Sequence, residues 1–461
     1  MIPERMDTNM PVSLQYDGSG KLMISGLACA CPCEHSVPAQ DIYVGRGLLP
    51  RLPEMIKKRG LGRRCVLVAD TITYAVAGRD AHKVLTEEGF EVISCVIVRE
   101  GEMLPDERAC GEVLLSIQPE TDFLLSVGSG SVTDITRVNA RRTGLPFVCV
   151  GTAPSMDGYT SVISPLLFNG VKIHRAGVCP DIILCDLDIL MTAPLHMVQA
   201  GVGDVLGKYI AVADWEIGSL INGEAYCPVC GEIVLGAVGK LLDNIHEIRG
   251  KTEKGIRILI EALLLSGITI MIIGHTRAVA SVEHNIAHYW EMMELLSGEK
   301  APSHGTSVGA ATLMVWPLYT RFAGEDLGAL NPDAIRVGRL NREGRVRWMK
   351  KAFGEVAGEA IMRDNPGDFL SWEEQLRRVR AAQANQQAIR DVIHALPPYD
   401  AILGAMRALG APLTAAGVGV SDSLRNLSMH CAMDYRSRYT LFKLIDECGL
   451  AEEYLKEYPL P

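Results

Sequence analysis

The 461-residue sequence predicts an N-terminal α/β domain built on a parallel sheet, followed by an all-α domain. Two observations carry this reading. Short β-rich runs alternate with helical stretches as far as about residue 190, the pattern of a parallel sheet covered by helices on both faces. Beyond Pro194 strand signals nearly vanish and apolar residues recur at helical spacing. We therefore expect domains 1–193 and 194–461, the first beginning with an irregular segment of about 40 residues.

Taken in order, residues 64–70 (RCVLVAD) read as a buried strand ending in a carboxylate. Strands follow at 91–98, at 123–127, which runs directly into Gly128-Ser129-Gly130-Ser131, and at 147–150. Residues 161–173 read as a hairpin and 182–186 as a further strand. Helices are expected over 199–221, 256–273, 282–296 and 306–322. The charged stretch 323–400 reads as exposed helix faces, with a lid, an oligomer contact or an inert insertion as the other readings.

Hydrophobic residues make up 48% and charged residues 22%, a composition that buries a large core and excludes disorder. A net charge of −10 argues against a nucleic-acid partner but leaves room for a small anion held by local cations. Thirteen scattered cysteines fit a reducing compartment and no disulfide scaffold. The N-terminal run MIPERMDTNMPVSLQYDG lacks the layout of a signal peptide. The most apolar stretch, 262–274, is shorter than the roughly 20 residues of a bilayer span. The expectation is a cytoplasmic homo-oligomer acting on a small molecule, with no membrane partner.

Three groups of residues carry possible chemistry. The first is the strand–Gly-Ser-Gly-Ser–helix junction. Glycines admit a ligand close to the backbone, and the helix start offers N–H groups to a pyrophosphate. A plain strand-end turn fits the spacing as well, since the full G-x-G-x-x-G is absent. Asp70, at a strand end, is placed to bond a ribose hydroxyl and to repel a 2′-phosphate, favouring NAD over NADP. The second group is Asp204, His284, His288 and His304. Two imidazoles and a carboxylate suit zinc, nickel or ferrous iron and leave a position open for substrate. Lys208, four residues after Asp204, either binds a phosphate or orients Asp204, or is a solvated lysine. The third is Cys29, Cys31, Cys33 and His35, with Cys227-x-x-Cys230 far away in sequence. These fit a structural zinc site or simply small buried side chains, and the unusual C-x-C-x-C spacing favours the latter. Neither G-x-S-x-G nor a P-loop is present.

The blocks VGSGSVTDITR, TAPSMDGYTSVISPLL, AGVGDVLGKYIAVADW, EHNIAHYWE and SHGTSVGAATL resemble the sn-glycerol-1-phosphate dehydrogenases of the dehydroquinate synthase-like, iron-containing alcohol dehydrogenase superfamily. The likeness runs from about residue 40 to 320 and resumes at YRSRYTLFKLIDECGL. It implies a Rossmann-like cofactor domain and a helical metal domain. It implies reversible reduction of dihydroxyacetone phosphate by NAD(H), or by NADP(H), with one divalent zinc, nickel or iron ion. Carried over motif by motif, the catalytic metal ligands are Asp204, His284 and His304, and the substrate contacts are Asp157, Asp204 and His288. Cofactor contacts are Asp70, Gly130, Ser131, Val132, Thr133, Asp134, Thr152, Ala153, Pro154, Ser155 and Ser161. The family's run before the first histidine is kept only at its ends here, Arg277 and Glu283-His284, with Ala278-Val279-Ala280-Ser281-Val282 between. A glycerol or other polyol dehydrogenase on the same scaffold is the competing reading, and a dehydroquinate synthase is disfavoured by TAPSMDG and AGVGDVLGKY.

Overall fold

A computed structural model describes residues 13–25, 29–36, 40–101, 103–169, 171–337, 341–365 and 369–460. The described residues form ten strands: β1 Ser13–Tyr16, β2 Leu22–Ser25, β3 Asp41–Gly45, β4 Arg64–Asp70, β5 Glu91–Ile97, β6 Phe123–Gly128, β7 Phe147–Gly151, β8 Ile163–Phe168, β9 Val171–Ala176 and β10 Ile182–Asp186. Six of them make one parallel sheet in the order β3-β10-β7-β6-β4-β5. The interior strands β6, β7 and β10 are buried at every residue, because helices cover both faces. β5 lies at an edge, largely open in its first half and buried only at Cys95 and Ile97. β8 and β9 form the expected antiparallel hairpin. β3, which periodicity had not marked, is a five-residue edge strand whose other side is met by an isolated bridge from Lys21 to Tyr43.

The chain returns from β5 across β4 to reach β6, so the carboxyl ends of β4 and β6 are where the strand order reverses. Asp70 closes β4 and Gly128 closes β6. That puts the two sequence features expected to meet a dinucleotide at the same switch point.

The compact units do not divide at residue 193. One unit takes residues 1–201 and 227–275, the other 202–226 and 276–461. The correction has a physical cause. The helix Glu253–Ile273 fits against the turn Gly158–Thr160 of the sheet unit, where a Cβ on Gly267 would stand 1.6 Å from Thr160 Oγ1. Tyr16 and Ser36 also bond to it, at Glu261 (3.0 Å) and at the Met271 carbonyl (2.5 Å). This helix has 21 residues and is long and apolar enough to cross a membrane, contrary to the shorter span read from sequence. It is apolar around most of its circumference, as suits a helix that is mostly buried in the protein.

In the second unit all described elements are helices. The expected helix 199–221 is two, Leu195–Leu206 and Lys208–Asn222, broken at Gly207. Within 323–400 the described residues form the helices Arg342–Phe353, Glu355–Asp364, Trp372–Ala384 and Gln386–His394, together with short 3-10 turns. Their charged faces are largely exposed, but Arg345 and Gln375 are buried, and Phe353 packs edge-on against Tyr289 at 5.1 Å. Residues 338–340 and 366–368 of that segment lie outside the described residues.

In the sheet unit, a Cβ on Gly201 would fall 2.0 Å from the Pro154 carbonyl oxygen. Gly201→Ala should therefore destabilise by about 1–3 kcal/mol, because backbone must move to admit one methyl group. Gly236, on the helix Pro228–Asp243, has nothing within 4 Å of its missing Cβ. Gly236→Ala should instead stabilise by roughly 0.5–1 kcal/mol. Thermal unfolding of the two variants beside the parent checks both signs.

Candidate functional site

The second unit gathers three ligand-bearing segments. Asp204 lies near the end of the helix Leu195–Leu206, His284 near the start of Val282–Leu296, and His304 begins His304–Phe322. Glycines let these backbones approach. A Cβ on Gly203 would stand 2.2 Å from the Gly305 carbonyl oxygen, which brings Asp204 beside His304. A Cβ on Gly207 would stand 2.8 Å from Val308 Cγ1 and 3.1 Å from Glu283 Cγ. One ligand atom from each of Asp204, His284 and His304 lies within 4.8 Å of the other two.

The surroundings fit a divalent ion. His284 Nδ1 is 2.6 Å from Glu283 Oε1, and His304 Nδ1 is 2.7 Å from Glu291 Oε1. Each carboxylate takes the Nδ1 proton and turns Nε2 toward the shared space, the orientation metal-binding imidazoles require. His284 Nε2 is already 3.2 Å from Asp204 Oδ1. Asp204 is fully buried, and Lys208 Nζ donates to its Oδ1 at 2.6 Å. Burial pushes the Asp204 carboxyl up, but the Lys208 charge and the two histidines outweigh it and hold the group well below the carboxylate range. Burial and Lys208 push His284 down, and its bonds to Asp204 and Glu283 more than restore it, so it sits above the ordinary histidine value.

His288 is one turn beyond His284, with its ring stacked on His304 at 5.1 Å and edge-on to Tyr435 at 5.7 Å. Sequence reasoning did not find Glu283 or Glu291. Glu291 follows His284 and His288 at helical spacing on the same face, and that register was the available signal. Lys208 is no solvated lysine: it is fully buried on Asp204. Arg277, the kept first residue of the family's run, is a clamp. Its Nε and Nη2 donate to Glu224 at 2.6 and 2.9 Å, and Nη2 also reaches the Asp214 carbonyl at 3.1 Å.

Asp214 holds the approach to the ligand-bearing helix. It accepts from Ser281 Oγ (2.5 Å), Tyr319 Oη (2.7 Å) and the Leu441 N–H (2.8 Å). Ser281 N–H in turn donates to Glu283 Oε1 at 2.8 Å. Burial pushes the Asp214 carboxyl up to about 6 in spite of its three donors.

The sheet unit holds the expected nucleotide contacts. Asp70 Oδ1 caps the turn Thr71–Thr73, accepting from the Ile72 and Thr73 N–H groups at 2.8 and 2.7 Å, so only Oδ2 remains for a ribose hydroxyl. The helix Gly130–Thr143 presents the first-turn N–H groups of Gly130, Ser131 and Val132, which have no partner within the helix. The side chains of Val132, Thr133 and Asp134 are buried: Val132 lies under Gly128, Thr133 Oγ1 is 3.6 Å from Cys149 Sγ, and Asp134 pairs with Arg137. Thr152 N–H donates to the Gly128 carbonyl at 3.0 Å and Ser155 Oγ meets Ser129 Oγ at 2.7 Å, joining the two loops. Tyr159 Oη fixes the Ala153 carbonyl at 2.7 Å, beside Pro154. Asp157 precedes the turn Gly158–Thr160, and Ser161 ends it with its hydroxyl turned onto the Ile163 N–H at 3.0 Å.

The iron-containing alcohol dehydrogenase family model matches residues 43–194. A glycerol-1-phosphate dehydrogenase (NAD(P)+) of Halalkalibacterium halodurans is 32% identical over 91% of this chain and 95% of its own. The enzyme of that name from Bacillus subtilis is 37% identical over 63% of this chain and 74% of its own. Among solved structures, glycerol dehydrogenase from Schizosaccharomyces pombe superposes with a TM-score of 0.57 at 15% identity, covering 92% of this chain and 93% of its own. Maleylacetate reductase from Agrobacterium tumefaciens gives 0.59 at 14% identity, over 93% and 99%. The fold is thus that of the iron-containing alcohol dehydrogenase and dehydroquinate synthase-like proteins.

Alanine at Asp204, His284 or His304 should each remove one divalent ion per chain, measured by elemental analysis. Glu291→Gln should keep the ion but weaken it about 10–100-fold in a chelator competition, since it acts on His304 from outside. Unchanged metal content in all three alanine variants would refute the assignment.

Asp214 gives a separate outcome. Its folded value lies above the unfolded 3.8, so this group favours folding fully below about pH 4, and that contribution is lost as pH rises through about 6. The amplitude is on the order of 3 kcal/mol. Asp214→Asn should flatten this part of the pH dependence between 4 and 6, whereas Asp214→Ala, which strands three buried donors, should destabilise at every pH. Denaturant unfolding of the three proteins across that range measures it.

Proposed function

The chain belongs to the glycerol-1-phosphate dehydrogenase family, and on that premise we propose that it reduces dihydroxyacetone phosphate to sn-glycerol 1-phosphate, reversibly, with a nicotinamide dinucleotide and one divalent metal ion. The observation that carries the reading is the pair of carboxylate-oriented imidazoles, His284 and His304, facing a buried Asp204. Asp204, His284 and His304 would hold a metal able to polarise a ketone oxygen, and the β4–β6 switch point would hold a dinucleotide able to supply hydride.

The chain's own residues do the rest. The first-turn N–H groups at Gly130–Val132 receive the pyrophosphate, and Asp70 Oδ2 receives a ribose hydroxyl. That carboxylate favours NAD(H) over NADP(H). Asp204, His284 and His304 hold the metal, whose identity among zinc, nickel and iron follows from supply as much as from this donor set. His288, stacked on His304, delivers a ring proton to the carbonyl oxygen as hydride reaches the carbon, which balances the reduction. Asp157 bonds a substrate hydroxyl.

The phosphate needs a cation, and Lys208 and Arg277 are engaged with Asp204 and Glu224. Arg436 is proposed for this role from its position beside Tyr435 and His288. It lies over the Tyr435 ring at 5.1 Å, and that ring packs on His288. Both residues belong to the C-terminal YRSR segment. We place it in the cytoplasm, where thirteen scattered cysteines would stay reduced.

Steady-state assays with dihydroxyacetone phosphate and dihydroxyacetone, each with NADH and NADPH, test the proposal. The phosphorylated ketone should have the higher kcat/KM, and NADH should be the better donor. Arg436→Ala should cost about 10–100-fold for the phosphate ester, the worth of a charge-assisted bond, and little for the free ketone. Equal or better turnover of the free ketone would make the chain a polyol dehydrogenase instead.

A further inference from the structure

The sheet unit holds a second group of metal-binding side chains that takes no part in the chemistry above. The sequence separates them by almost 200 residues: His35 and Cys227 are 192 apart. The fold brings together Cys29, Cys31 and His35 from the segment before β3, and Cys227, which caps the helix Pro228–Asp243.

The spacings fit an empty tetrahedron. Zinc bonds of about 2.3 Å to sulfur and 2.0–2.1 Å to nitrogen place two sulfur ligands about 3.8 Å apart and a sulfur and a nitrogen about 3.5 Å apart. Cys29 Sγ is 3.8 Å from Cys227 Sγ, Cys31 Sγ is 3.5 Å from His35 Nε2, and His35 Nε2 is 3.3 Å from Cys227 Sγ. All four donor atoms lie within 4.8 Å of one another. The sulfur separation is far too long for a disulfide, whose bond is about 2.05 Å. Two backbone amides support the sulfurs: Cys31 N–H donates to Cys29 Sγ and Cys230 N–H to Cys227 Sγ, each at 3.4 Å. Such bonds neutralise thiolate charge and fix the ligand rotamer, as outer partners of metal sites do.

We propose that Cys29, Cys31, His35 and Cys227 bind one structural zinc ion, distinct from the catalytic metal. Three sulfurs and one nitrogen select a soft, tetrahedral ion, and four protein ligands leave no position for substrate. The ion ties the segment before β3 to the point where the chain re-enters the sheet unit at Cys227. Cys33 and Cys230 lie close by without being ligands.

The test uses the full chain expressed with zinc. His304→Ala, which removes a ligand of the catalytic centre, should still carry one zinc per chain. Adding Cys29→Ser with Cys31→Ser should bring zinc close to zero and lower the melting temperature. Cobalt(II) incorporated in place of zinc should give sulfur-to-cobalt charge-transfer absorption that survives His304→Ala and disappears in the double serine variant. Cys33→Ser and Cys230→Ser should keep both metal and spectrum. If the double variant does not fold, the cobalt spectrum of the His304→Ala protein decides alone. Folded His304→Ala protein without zinc, cobalt bound with no thiolate absorption, or loss of metal in Cys33→Ser would each overturn the proposal.

Discussion

A fully buried aspartate is the constraint around which the second unit is arranged. Asp204 has no exposure to solvent, so its charge must be balanced by the protein itself. Lys208 supplies that balance one helical turn later, a relation the break at Gly207 leaves intact. The same glycine accommodates Glu283, which orients His284. Gly203 accommodates the backbone at Gly305, next to His304. Within AGVGDVLGKY, Gly203 and Gly207 thus admit close neighbours, Asp204 carries the buried charge, and Lys208 keeps that acid ionised.

Positioning then spreads outward through hydrogen bonds. Glu283 takes the Ser281 N–H, Ser281 gives its hydroxyl to Asp214, and Asp214 also takes Tyr319 and the N–H of Leu441. One carboxylate thus joins the loop before His284, the helix that begins with His304, and the late helix Leu441–Glu447. The aromatic series Tyr289, Phe353, Tyr435 and His288 supports the other side of the same helix. The late, charged part of the chain contributes Phe353 to it, so that segment buttresses the helix carrying His284 and His288.

What could be read in the sequence was what repeats at short range. The β6–turn–helix junction, the β8–β9 hairpin and the helix bearing His284 and His288 all announce themselves by period, turn residues or spacing. Glu291 was within reach by the same rule but is an ordinary residue type on a helix. Other features had no local signal. β3 is short and lies at an edge. The helix Glu253–Ile273 reads the same whether it belongs to one unit or the other, and long-range packing at Gly267 decides. Asp214 sits in a run of apolar residues with partners 67, 105 and 227 positions away. The cysteines looked scattered because proximity in the sheet unit is created by the fold.

Lys208 also bears on how the proposed centre of Asp204, His284 and His304 would meet a metal. An acid buried without a counter-charge would take up a proton or turn aside, and the two imidazoles would then lack their third partner. The ammonium group at 2.6 Å keeps Asp204 ionised and pointed inward before any ion arrives. Glu283 and Glu291 do the same for the histidines by holding Nδ1. All three donors are thus set in the binding form by neighbours that do not bind the ion themselves. The reorganisation that would otherwise oppose binding has already been met by folding, which is the purpose of a preorganised site. The buried ion pair is poor value for stability alone, because desolvating both charges offsets most of their attraction. Its retention in the core is accounted for by the geometry it imposes on Asp204.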